Sequence, residues 1–154
     1  MNRIEIVRAY VDDVLLHMTD AEARRCGYLH LYGVAQACAM IAMKRGMNAE
    51  LPVVAGMLHD IAAYATLDST EHAARGAVMA REILESLGCF AAGEVEQVCA
   101  AIHHHSDKAG AHAPLDEVLK DADVLQHCLY DPLVTASKKE SVRYAALKKE
   151  FAIA

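Results

Sequence analysis

Residues 53–60 read Val53-Val54-Ala55-Gly56-Met57-Leu58-His59-Asp60, an apolar run that ends abruptly in an imidazole and a carboxylate. Such a run belongs in a core, and two polar groups at its end are costly there unless paired or bound to a cation. The flanking sequence is helical in pattern. Upstream, Ile4, Val7, Val11, Val14, Leu15 and Met18 recur at three- and four-residue steps, as on one face of an amphipathic helix. Thr19-Asp20-Ala21-Glu22 has capping-box spacing and predicts a short helix closed by Gly27. A long helix is expected from about Leu29 to Arg45, stopping at Gly46. Asn48 suits the N-cap of the helix that carries residues 53–60, with Pro52 in its first turn and its end near Ala63.

Downstream, Asp68 to Glu71 is a second capping signal, ahead of a helix that reaches Leu87 and stops at Gly88. Further helices are expected from Gly93 to the histidines at 103–105, and from Pro114 to about Cys128 before Asp131-Pro132. A last one should run from about Lys139 to Phe151, with Val142, Ala145, Ala146 and Phe151 inward and paired lysines outward. Nothing alternates as a half-buried strand does. The expected fold class is therefore all-α, a bundle of six to eight helices. One domain covers residues 1–154, with a core at about 28–128 and a C-terminal helix at about 139–152.

Composition narrows the function. The 154 residues carry a net charge of −6, which argues against a nucleic-acid duplex as partner, because phosphate neutralisation needs clustered Lys and Arg. The longest apolar stretch, Leu31 to Met43, is interrupted by Gln36 and falls short of the roughly 20 residues a membrane span needs. No apolar leader opens the chain. Five cysteines without C-x-x-C spacing point to buried thiols in a reducing cytoplasm rather than to disulfides or a thiolate zinc site. Met40, Met43 and Met47 read as core filling. A homodimer is compatible with so apolar a chain.

Nine histidines carry the chemistry. His30 lies among Leu29, Leu31 and Tyr32, and Asp123 precedes the apolar pair Val124-Leu125. With His59 and Asp60 they form an ordered set on three apolar helices, which one divalent cation would serve together. Imidazole and carboxylate without thiolate suit Fe, Mn, Co, Ni, Zn or Mg. Asp121 and Asp123 read equally as a solvated face, and His103-His104-His105 as a helix end where imidazolium complements the dipole. Successive helical residues cannot all face one site, so at most one or two of those three are ligands. His17 and His112 read as ordinary side chains. His127, four residues after Asp123, falls on the same helical face and can support the site from behind.

The order His30, His59-Asp60, Asp123 resembles the H…HD…D signature of the HD superfamily of metal-dependent phosphohydrolases, over about Tyr28 to Gln126. Ala55 to Ile61 is similar to the family's apolar helix ending in HD, and Asp121-Ala122-Asp123-Val124-Leu125 to its DAD segment, which favours Asp123 over Asp121 as ligand. Glu71-His72-Ala73-Ala74-Arg75-Gly76-Ala77 and Ala101-Ile102-His103-His104-His105-Ser106 resemble segments of a two-metal subset. The resemblance implies an HD-domain helical bundle holding one or two ions. His30, His59 and Asp123 would bind one ion, His72 and His105 the other, with Asp60 between. It also implies hydrolysis of a phosphate ester or anhydride of a nucleotide or other small phosphorylated metabolite by metal-activated water. Asp60 would be the catalytic residue, orienting or deprotonating that water, and His104, Lys108 and Arg75 are candidate phosphate contacts. Departures limit the substrate: Ala63, followed by Tyr64, stands where many relatives have a lysine, Val124 where others have arginine, and Ser106-Asp107-Lys108 after His105 disfavours cyclic dinucleotides. The same ligands also suit a di-iron oxygenase of HD fold, or a non-catalytic metal- or nucleotide-binding module.

Overall fold

The computed structural model describes residues 2–153, and the described residues form eight helices with no strand. They are α1 (Arg3–Leu16), α2 (Ala21–Lys44), α3 (Glu50–Leu58), α4 (Ile61–Thr66), α5 (His72–Leu87), α6 (Ala92–His104), α7 (Pro114–Tyr130) and α8 (Ser141–Glu150). The all-α expectation holds, and α2, α3, α6 and α7 form its centre: α2 lies against α3 and α7, and α6 against both α3 and α7. Helix α5 packs on α6, α1 on α3, and α8 on α7. Val7, Val11 and Leu15 of α1 meet Val34, Cys38 and Ile41 of α2, Val54, Met57 and Leu58 of α3, and Ile102, Val118 and Leu119 from α6 and α7 in one core. Each such side chain, fully buried, contributes on the order of 2 kcal/mol.

Two glycines set helix spacings that matter for the polar cluster described below. A Cβ on Gly56 would lie 2.7 Å from Ala35 Cα, so α3 touches the backbone of α2 where His59 must reach His30. A Cβ on Gly76 would lie 2.6 Å from the His59 carbonyl oxygen. That contact seats α5, with His72 one turn earlier, directly beside Asp60.

Several boundaries differ from expectation. Helix α2 is continuous from Ala21; Gly27 does not end a short helix but is buried inside α2, facing Leu15 and the Tyr64 ring. Its cap is Asp20, whose side chain accepts from Ala23 N. The continuous helix is long and apolar enough to cross a membrane by length and composition, with half of its most apolar stretch buried in the bundle. The helix of residues 53–60 does not run on to Ala63. It breaks at Asp60 (φ −113°, ψ 11°) before α4, a backbone region where residue i+2 of turns and many active-site residues sit. Asp68 does not cap α5 but accepts from Thr70 N. Met40 and Met43 are exposed rather than core-filling, while Met57 is fully buried. In α8, Leu147 faces the core and Val142 faces out. The thiols of Cys38, Cys99 and Cys128 are buried, those of Cys26 and Cys89 half-buried, and all five are free.

Candidate metal centre

Three segments converge on one point: α2 supplies His30, the α3–α4 break supplies His59 and Asp60, and α7 supplies Asp123. His30 Nε2 stands 3.0 Å from His59 Nε2. Asp60 Oδ2 lies 3.4 Å from the first nitrogen and 3.5 Å from the second. Asp123 Oδ1 lies 3.5 Å and 3.8 Å from the same pair. On the far side of Asp60, its Oδ1 is 3.4 Å from His105 Nε2 and 3.9 Å from His72 Nε2. The two oxygens of one carboxylate are thus divided between two groups of imidazoles.

The far nitrogen of each buried imidazole is already committed. His59 Nδ1 is 2.8 Å from the Gly56 carbonyl and His105 Nδ1 is 2.6 Å from the Ile102 carbonyl. A carbonyl only accepts, so both Nδ1 atoms carry hydrogen and, in the neutral ring, both Nε2 atoms present a lone pair. His30 Nδ1 faces Gln126 Oε1 at 2.8 Å, which fixes the same tautomer. Two lone pairs then meet at 3.0 Å, and only a proton or a cation between them removes the repulsion. One proton does not satisfy the rest: Asp60 Oδ1 and Asp123 Oδ1 are both buried without a hydrogen-bond partner. Buried polar atoms are nearly always paired, so a cluster of convergent acceptors fits a divalent cation. Ligand atoms of His30, His59 and Asp60, of His30, Asp123 and His127, and of Asp60, His72 and His105 lie within 4.8 Å of one another in each group.

The electrostatics agree. Burial lowers the His59 imidazole to about 4 and keeps it neutral. Burial also opposes charge on His30, but Asp60, Asp123 and Gln126 outweigh it and raise its pKa. Burial would raise Asp60 and Asp123, yet the surrounding imidazoles, and Lys108 for Asp123, hold both well below the usual carboxylate range.

A family model described as the HD domain matches residues 27–127, a span that begins before His30 and ends after Asp123. The chain belongs to the HD domain family. The crystal structure of a predicted HD superfamily hydrolase from an uncultured Thermotogales bacterium has the same fold, with a TM-score of 0.64 over 96% of this chain and 88% of that one, at 21% identity. None of the curated proteins is similar enough to the chain to count as a match. Membership in the HD family supports a metal-dependent hydrolase, and the His/Asp groups of this chain are of the kind that holds divalent metal.

Around the HD dipeptide the structure sorts the sequence-derived candidates. His30, His59, Asp60, His72, His105 and Asp123 come together. Asp121, the fallback, does not: Arg45 and Arg143 pair with it. Lys108 reaches the cluster, with Nζ 2.5 Å from Asp123 Oδ2. His104 points elsewhere, toward Asp116 Oδ2 at 2.7 Å and onto the His112 ring at 4.0 Å. Successive helical side chains diverge by about 100°, so turning His105 inward turns its neighbour away. Arg75 is bound to Asp68 and Thr66 and lines neither of the two clefts beside the cluster. His127 adjoins the site. Its Nε2 is 3.5 Å from Asp123 Oδ1, its ring stacks on His30 at 5.0 Å, and Glu140 Oε1 holds its Nδ1 at 2.8 Å. Gln126 was missed, although its place three residues after Asp123 put it near the same face.

Proposed function

We propose that the protein is a phosphohydrolase that uses two divalent ions to cleave a phosphate ester or anhydride of a small metabolite. The observation that carries this reading is the division of Asp60: Oδ2 faces His30 and His59, and Oδ1 faces His105 and His72. One ion would be held by His30, His59, Asp60 and Asp123, the other by Asp60, His72 and His105. Fe, Mn, Co, Ni, Zn and Mg all accept such nitrogen and oxygen donors. Bound divalent ions supply Lewis acidity toward phosphoryl oxygens and lower the pKa of water.

The chain's own residues do the rest. Asp60, held ionised, orients the attacking water as a hydrogen-bond acceptor; with its pKa so far down it is too weak a base to keep the proton, which leaves to solvent. Lys108, paired with Asp123, and Lys139 line a cleft of about 300 Å³ together with Ser106, Ser137 and Glu140, where the two ammonium groups would face phosphoryl oxygens. Ser106 Oγ lies 2.9 Å from His72 Nε2 and occupies the lone pair that an ion would take, so this contact would give way when the ion is held. Of the three candidate phosphate contacts, Lys108 would serve; His104 and Arg75 are engaged away from the clefts.

The test is turnover of nucleoside monophosphates, phosphosugars and simple phosphate esters with each metal, for wild type and Asp60→Asn. Metal-dependent release of phosphate by the wild type, reduced about a hundredfold or more in Asp60→Asn, is expected. Absence of phosphate release with every metal, or equal turnover by the two proteins, would overturn the proposal.

A further inference from the structure

The ligand cluster has an unlike cleft on each side. The one just described carries two lysines and two serine hydroxyls beside Asp123 and Glu140. The other, of about 330 Å³, is lined at its inner end by His30, Asp60, Gln126 and His127 and at its outer end by Cys26, Leu29, Tyr64 and Tyr130. Asp60 and His127 line both clefts, so the two adjoin at the cluster. The outer end contains no Lys or Arg, and Arg25 beside it is already paired with Glu22. Gln126, the one amide there, is turned to His30. Tyr64 remains neutral, its hydroxyl pushed up to about 12 by burial.

We infer that this cleft receives the organic part of the substrate, and that this part is an uncharged, largely apolar group such as an aromatic ring. The inference rests on the phosphohydrolase reading and narrows it. Leu29, Cys26 and the two tyrosine rings offer apolar surface to cover such a group, which favours its transfer from water. A second anionic group at the outer end would meet no Lys or Arg side chain there. A sugar's hydroxyls would lose water and find few free partners, which costs affinity. The substrate class is therefore the phosphomonoester of an apolar alcohol, in preference to phosphosugars or diphosphorylated metabolites.

Two measurements on the Mn- or Co-loaded protein test this. The first compares kcat/KM for benzyl phosphate and glycerol 3-phosphate, both esters of primary alcohols, so that leaving-group chemistry is similar. A preference of about tenfold or more for the benzyl ester is expected, and Leu29→Lys, a change at a half-exposed position, should shrink that ratio. The second follows alkylation of Cys26 by iodoacetamide, mapped by peptide mass spectrometry. Benzylphosphonate should slow it several-fold where methylphosphonate at the same concentration does not. Equal hydrolysis of the two esters, or no selective protection of Cys26, would overturn the inference while leaving the phosphohydrolase reading intact. Selective protection without hydrolysis of any ester would remove that reading and keep the cleft as the binding site of an apolar ligand.

Discussion

Helix α7 carries two polar regions built on opposite terms. In its first half, Lys120 is wholly buried, yet its Nζ lies 3.0 Å from both the Gly110 carbonyl and Glu117 Oε1. Arg143 joins Glu117 at 2.9 Å to Asp121 at 2.8 Å, and Arg45 takes the other Asp121 oxygen at 2.7 Å. Each of these charges faces an opposite one. In its second half, Asp123 leaves one buried oxygen without a partner, beside two imidazole nitrogens that face each other. The first region is complete as protein and holds the loop between α6 and α7 and helix α8 in place. The second is complete only with a cation. Polar groups that a chain buries but does not satisfy mark where its ligand belongs.

Perturbing each region should separate the two roles. The largest effect is expected from Asp60→Asn, which removes the carboxylate shared by both imidazole groups. Metal affinity, measured by isothermal titration, should fall about a hundredfold or more, while the metal-free variant melts within a few degrees of metal-free wild type. Gln126→Leu comes next. It frees His30 to rotate and change tautomer, and should weaken metal binding by about ten- to a hundredfold with the helical circular dichroism unchanged. Lys120→Met reverses the pattern. Removing one member of a buried ion network costs about 3 kcal/mol, visible as a lower urea midpoint, and metal content per folded chain should be unaltered.

The smallest effect is pH-dependent. Burial would raise the Glu117 carboxyl, but Arg143, Lys120 and the His112 backbone outweigh it and hold its pKa below the ordinary 4.5. Its stabilising contribution is therefore present above pH 4.5 and is lost as pH falls through the lower folded value. Glu117→Gln should flatten the acid limb of the stability–pH curve of metal-free protein, measured by urea denaturation. An unchanged slope would mean that Glu117 is not held as the network requires.

The two regions were unequally legible in the sequence. His30, His59, Asp60 and Asp123 could be read because each interrupts an apolar stretch, and because their order resembles a known signature. The all-α architecture followed from three- and four-residue periodicity. What the periodicity lacked was phase. Gly27 reads as a helix end, yet packing of Leu15 and Tyr64 against it keeps α2 continuous. The break at Asp60 is invisible because Ile61 and Ala62 continue the apolar pattern and are themselves buried. By pattern alone three adjacent histidines are equivalent, and only the resemblance singles out His105, which α6 packing on α3 and α7 turns to the HD carboxylate. Arg75 lies three residues after His72, and its direction is set by Thr66 at the end of α4 and Asp68 in the loop that follows. Nothing in the sequence marks Lys120; its burial depends on a carbonyl, Gly110 O, that no side-chain pattern reveals.

The central claim is that the convergent acceptors of His30, His59, Asp60, His72, His105 and Asp123 hold divalent cations. The most direct measurement is metal per chain by plasma mass spectrometry on protein purified without added metal or chelator, then again after saturation with Mn or Co and desalting. About two equivalents on saturation are predicted for wild type, none above background for Asp60→Asn. A saturated wild-type protein that retains no metal would contradict the account.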